Sequence, residues 1–212
     1  GTLRGNNLTI TDSGNTGLNI GAGTLHADNK LELQASTATT TPTDFNVNSG
    51  RFEVGAELSS NASNINFGDG TNGAGLQLGE VQSGAQGTIS HSADSGNVTT
   101  NLTFNGGTTP EQRAELNVEY GAWQVNGGTA GTGVINATNT DLTVGHGSYL
   151  NETSASLEVN DLNHSGSTAQ INSNGSLHTN NLDLADTSMR VDGTVLADKS
   201  VTTGQGDQTS IT

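Results

Sequence analysis

Apolar–polar–apolar triplets run the length of the chain: LTI (8–10), LNI (18–20), LEL (31–33), FNV (45–47), FEV (52–54), INF (65–67), LQL (76–78), LTF (102–104), LNV (116–118), WQV (123–125), LTV (142–144), LEV (157–159) and LDL (182–184). A period of two belongs to a short strand with one buried face. Between the triplets stand Gly, Asn, Asp, Ser and Thr, which tolerate tight turns and positive φ. Helical periodicity is nearly absent. PEQRAEL (110–116) alone predicts a helical turn, with Pro110 at its first position.

A longer period overlies the short one. Leu142, Leu162, Leu182 and Val201 are spaced 20, 20 and 19 apart, and Leu157, Leu177 and Leu196 are spaced 20 and 19 apart. Ile171, Val191 and Ile211 keep a step of 20, as do Leu25, Phe45 and Ile65. Such columns predict an all-β fold, a right-handed parallel β-helix with three short strands per coil of about twenty residues. A three-residue strand cannot bury its face alone, whereas stacked coils bury a continuous apolar column. About ten coils are expected, in a single unit over residues 1–212. Residues 68–75 and 105–133 are expected as loop insertions. These stretches interrupt the rhythm with NFGDGTNGAG (66–75), NGGTTPEQRAE (105–115) and NGGTAGTG (126–133).

One phrase returns four times: GTLRGNNLTI (1–10), GTLHADNKLEL (23–33), GSLHTNNLDL (175–184) and GTVLADKSV (193–201). It reads as a corner: Gly permits a bend, an apolar residue two places on enters the core, and Asn or Asp turns into the next strand. Asn160 and Asn180 are expected to stack as a side-chain ladder within such a turn. The phrase resembles the right-handed β-helical passengers of Gram-negative autotransporter adhesins of the self-associating type. It equally resembles two-partner-secreted, filamentous haemagglutinin-like proteins. The resemblance implies export through the periplasm to the cell surface or medium, and adhesion or self-association. It transfers no binding residue. Neither a translocating barrel nor a recognisable two-partner secretion domain is present, which fits a segment of a longer passenger, as does Gly1 in first place.

Composition narrows the function. Hydrophobic residues make up 30% and aromatics 3%, with 30 glycines. Charged residues reach only 13%, and Pro is nearly absent, which argues against disorder. Six basic against 21 acidic residues leave a net charge of −15. No basic face for nucleic acid or for an anionic membrane can be assembled. There is no cysteine, and no window reads as a signal peptide or membrane span.

Candidate chemistry is sparse. His26, His91, His146, His164 and His178 are scattered without metal-ligand spacing. His26 and His178 follow a core Leu, which predicts an outward, solvated position. Asp69 and Asn72 lie in a Gly-rich loop with the texture of a calcium site but without its repeat, so a turn role is favoured. Asp141 and Asp161, expected one coil apart on one edge, are the nearest approach to a carboxylate pair. EYGAWQV (119–125) holds Tyr120 and the sole Trp, Trp123. Alternation with Val125 favours packing for Trp123 over an exposed platform. Tyr120, Trp123, Asp69 and Asn72 are the candidate ligand-binding residues. No cofactor, metal or catalytic residue is expected. The expected function is adhesion: self-association, biofilm formation, or attachment to host-cell glycan or matrix through polyvalent polar contacts, without membrane insertion of this segment. The alternatives are a polysaccharide-active enzyme and a non-binding stalk.

Overall fold

The computed structural model describes residues 1–12, 17–35, 44–79, 86–91, 100–126, 132–145, 154–204 and 208–212, with backbone alone at 86, 88 and 91. These residues are all-β. The strands are β1 (Thr2–Asp12), β2 (Leu18–Ala35), β3 (Asp44–Val54), β4 (Glu57–Ser60), β5 (Asn64–Phe67), β6 (Ala74–Leu78), β7 (Gln86–His91), β8 (Thr100–Asn105) and β9 (Ala114–Val118). They continue as β10 (Gly121–Val125), β11 (Gly133–Thr138), β12 (Thr140–Val144), β13 (Ala155–Ser165), β14 (Thr168–Ile171), β15 (Gly175–Ala185), β16 (Ser188–Val191), β17 (Thr194–Thr203) and β18 (Ser210–Ile211). All belong to one parallel, solenoid-like sheet.

The pairings form three continuous ladders. The first joins the ends of β1 and β2 to β4, β7 and β10, then to the starts of β13, β15 and β17. The second joins the starts of β2 and β3 to β5, β8 and β11, then to the ends of β13, β15 and β17. The third joins the start of β1, the middle of β2 and the end of β3 to β6, β9, β12, β14, β16 and β18. A long strand that turns a corner thus serves more than one ladder.

Register places like on like. In the third ladder Leu25, Phe52, Leu76, Leu116 and Leu142 stack in succession and are all buried. In the second, Phe67 lies over Phe104 with ring centroids 4.9 Å apart and planes 10° from parallel. That separation is the spacing of neighbouring strands, so the backbone ladder itself sets the stack. Phe52 meets Phe67 edge-on at 5.8 Å, tying the third ladder to the second.

The expected columns hold in part. Leu157 over Leu177, Leu162 over Leu182 over Val201, Ile171 over Val191, and Phe45 beside Ile65 are all in register. Leu142, however, pairs with Leu116 and Ala169, and Leu162 with Ile135. Leu177 pairs with Val195, which leaves Leu196 facing outward and 50% exposed. Ile211 pairs with Met189, and Leu25 with Leu3 and Phe52. Connections of unequal length between strands explain the misses. A step of 20 survives only where connections are short, and a slip of one residue reverses every side chain.

The expected insertions shrink for the same reason. Strand β6 begins at Ala74, and β9 and β10 fall inside 105–133. What remains as connection is 68–73, 106–113 and the stretch around 126–132, of which 127–131 lies outside the described residues. Within 106–113, Pro110–Gln112 forms a 3₁₀ turn with Pro110 at its first position, as expected.

The recurring phrase marks a corner rather than a side. Leu3 belongs to the third ladder and Leu177 to the first, although they hold the same place in the phrase. Each phrase stacks on the neighbouring phrase: β1 on β2, and β15 on β17. The Asn180 amide donates to Asn160 Oδ1 at 2.5 Å, so the expected ladder is present. At the corner from second to third ladder, Asn139 and Asp186 take φ of +47° around Gly166 at +73°. Asn and Asp accept this left-handed conformation more readily than other side chains.

Trp123 packs where its neighbour has no side chain. Its register partner in β7 is Gly87, and a Cβ there would lie 2.3 Å from Trp123 Cδ2. Gly87→Ala is therefore expected to destabilise the fold by about 1–3 kcal/mol through overpacking. Adding Trp123→Leu should recover part of that loss, with both read as urea midpoints. A neutral Gly87→Ala would contradict this packing.

Candidate functional site

Alternation turns every second residue outward, so each ladder carries an outer face with its own chemistry. On the second ladder, one row runs Asp44, Asn64, Asn101, and beyond Val134, Asp161, Asn181 and Ser200. The parallel row runs Asn46, Asn66, Thr103, Asn136, Asn163 and Asp183. Neither row holds a lysine, arginine or aromatic residue. The amides bond along the stack: Asn64 donates to Asp44 at 2.6 Å and Asn101 to Asn64 at 2.8 Å. Asn181 donates to Asp161 at 2.6 Å and Ser200 to Asn181 at 2.9 Å. In the second row, Asn66 donates to Asn46 and Asn163 to Asn136, both at 2.8 Å. A side-chain amide has two N–H donors and an oxygen with two lone pairs. One bond to a neighbour fixes its plane and leaves capacity facing outward.

The third ladder carries charge instead. Arg4, Arg51, Arg113 and Arg190 lie on or beside it, four of the six basic residues. Arg4 reaches Asp28 at 2.5 Å, and its hydrogen bond holds that carboxyl below the usual range. Arg51 meets Glu53 at 3.1 Å and Glu115 at 2.9 Å, and also bonds Gln77. His26 sits between Glu53 at 2.7 Å and Asp28 at 3.0 Å with its side chain only 15% exposed. The expected solvated position for His26 is thus corrected. Its register partner is Glu53, and Asp28 follows two places on along the strand. His178 does face outward, with 43% of its side chain exposed beside Asp198.

The candidate ligand-binding residues occupy two separate places. Asp69 Oδ1 accepts the backbone N–H of Thr71 at 2.8 Å and of Asn72 at 2.6 Å, and the Asn72 amide reaches Oδ2 at 3.2 Å. The Asn72 N–H, then that of Thr71, hold the carboxyl below its ordinary value. The loop therefore closes on its own carboxylate. Tyr120 and Trp123 are buried, and the indole N–H donates to Tyr120 O at 2.9 Å. Burial gives Trp123 the packing role that alternation favoured. Asp69 and Asn72 precede β6, whereas Tyr120 follows β9, the strand paired to β6. About 17 Å of strand separates the two places.

Asp141 and Asp161 are likewise apart, in the third and second ladders. Asp141 accepts from Arg113 at 3.3 Å and Thr168 at 2.9 Å and also bonds Ser167. Asp161 accepts from Asn160 at 2.8 Å as well as from Asn181. Both tie neighbouring strands together and do not form a catalytic pair.

His164 is the residue whose place most differs from a scattered surface histidine. It fills an inner position over Ala137 and Leu184 and is 2% exposed. Its ring meets Thr140 O at 2.7 Å and the Thr187 hydroxyl at 3.0 Å. Alternation with Leu162 was the available signal. Burial pushes its pKa down, against the smaller opposing effects of Thr140 and Asp141. Of the remaining histidines, His146 and the His91 side chain lie outside the described residues.

Among the described residues, no three His, Asp or Glu side chains are grouped to hold a metal ion. No helix among them is long and apolar enough to cross a membrane. No family model, curated protein or solved structure matches the chain.

Folding holds His164 neutral, while the unfolded chain protonates it near the ordinary value of 6.5. Its contribution to stability is therefore whole above that value and is lost as pH falls below it. A slope of up to about 1.4 kcal/mol per pH unit is expected there. His164→Leu should flatten it, as measured by urea midpoints between about pH 7.5 and 5. An unchanged slope in the variant would assign the acid sensitivity to other groups.

Proposed function

We propose that this chain is a right-handed parallel β-helix with three short strands per coil, forming part of a bacterial surface-exposed or secreted adhesin passenger. Its task is cell adhesion, self-association or biofilm formation through many weak polar contacts. The fold reading is supported by the three parallel ladders and the corner phrase. The functional reading is carried by the second ladder's outer face, a double row of amides, hydroxyls and three carboxylates without a cation.

A single hydrogen bond contributes only about 0.5–1.5 kcal/mol net. Rows held at strand spacing add such contacts without fresh ordering, because neighbouring bonds already fix the amide planes. The partner favoured by this face is a second copy. For an antiparallel two-fold pairing centred on β11, the middle of the seven strands from β3 to β17, rows reverse onto themselves. Asp161 then faces Asn101, Asp183 faces Asn66, and Asp44 faces Ser200. No carboxylate meets another across the interface, despite the net charge of −15.

Sedimentation should reveal concentration-dependent association of the parent chain. Asn136→Glu with Asn163→Glu should weaken it at least about tenfold, equivalent to 1.4 kcal/mol, with the β-type circular dichroism retained. A chain that stays monomeric at every concentration and fails to clump cells displaying it would leave only a stalk.

A further inference from the structure

Where the first and second ladders meet, beside the amide corner of β13 and β15, the surface folds into an open cleft of about 210 Å³. One wall is the outward row of the first ladder, Glu158 beside its register partner His178, with Asp198 beyond. The other wall carries Asn126 and Thr132, and the Asn180 amide lies at the corner between them. Val125 and Val159 lie beneath its floor and are buried in the core.

These side chains are held from behind. The Gln124 amide donates to Glu158 Oε2 at 2.8 Å, and His178 Nε2 meets Asp198 Oδ2 at 3.0 Å. Each carboxylate thus uses one oxygen on a neighbour and keeps the other to accept from a ligand. The Asn180 amide is fixed by its bond to Asn160, with its own oxygen remaining. Asn126 and Thr132 add donors that a cluster of acids alone would lack.

We propose that this cleft binds the ring of a neutral sugar. Planar carboxylates and amides in fixed orientation suit adjacent hydroxyls, which donate and accept together. Among the described residues, no lysine or arginine lines the cleft, so a uronic acid or sialic acid would meet carboxylates without a counter-charge. With no aromatic platform among the described lining residues, binding at a single cleft is weak, and it acts alongside, independently of, the amide face.

The test is a titration of isotopically labelled protein, below its association range, with methyl glycosides of glucose, galactose, mannose and N-acetylglucosamine. Glucuronate and acetyl-lysinamide serve as acidic and cationic controls. At least one neutral glycoside is expected to shift the amide resonances of Asn126, Glu158, His178 and Asp198. Asp198→Asn or His178→Ala should weaken that binding severalfold, while Asp183→Asn, on the second ladder, leaves it unchanged. Shifts from no neutral glycoside, equal shifts from glucuronate, or preferential binding of acetyl-lysinamide would each overturn the proposal. Sedimentation of the same samples reads self-association separately, so either reading can fail alone.

Discussion

The structure depends on parallel strands lying in register directly over one another. A strand of four to six residues has too little apolar surface to hold its own backbone in place. It becomes stable when the strand above and the strand below cover its inner row and take its N–H and C=O groups. The Phe67–Phe104 stack shows this at its simplest, because the ring separation is the strand spacing. Every other property follows from that repeat. Inner positions must accept a neighbour's side chain a few ångströms away, and outer positions repeat whatever chemistry they carry at the same interval.

That repetition makes the outer surface a set of faces rather than a set of sites. The second ladder gathers side chains that bond along the stack without strong charge. The third gathers all four arginines and pairs them with nearby carboxylates. Exposed ion pairs of this kind contribute little each. Their effect lies more in sequestering positive charge on one side of a strongly acidic molecule. The two amide rows are thereby left without a cation, their charges being the carboxylates of Asp44, Asp161 and Asp183.

Much of the fold was legible because apolar triplets marked the long strands, and the corner phrase marked where they bend. The strands that escaped notice have small or polar inner residues: Ser60 in β4, Gly87 in β7, Ala169 in β14. Alternation is visible only when the inner residue is recognisably apolar. Register was legible where connections were short, as between β13 and β15, and was lost where a connection such as 106–113 altered the step. For the candidate site, Trp123 and Asp69 drew attention by rarity and by loop texture. The structure gives both local duties, in packing and in turn closure. The amide rows were foreshadowed by Asn160 and Asn180, but their extent depends on pairings between strands as far apart in sequence as β5 and β8.

Because the corner phrase joins different ladders at different places, it would let the chain grow in units smaller than a full circuit. Inserting one strand and one corner would carry every later strand from its ladder to the next. The arginine-bearing outer positions would then continue the line of amides, and the amides would continue another line. A rod built this way could acquire a different pattern of stripes without changing a single surface residue, by altering only the phase at which the chain winds.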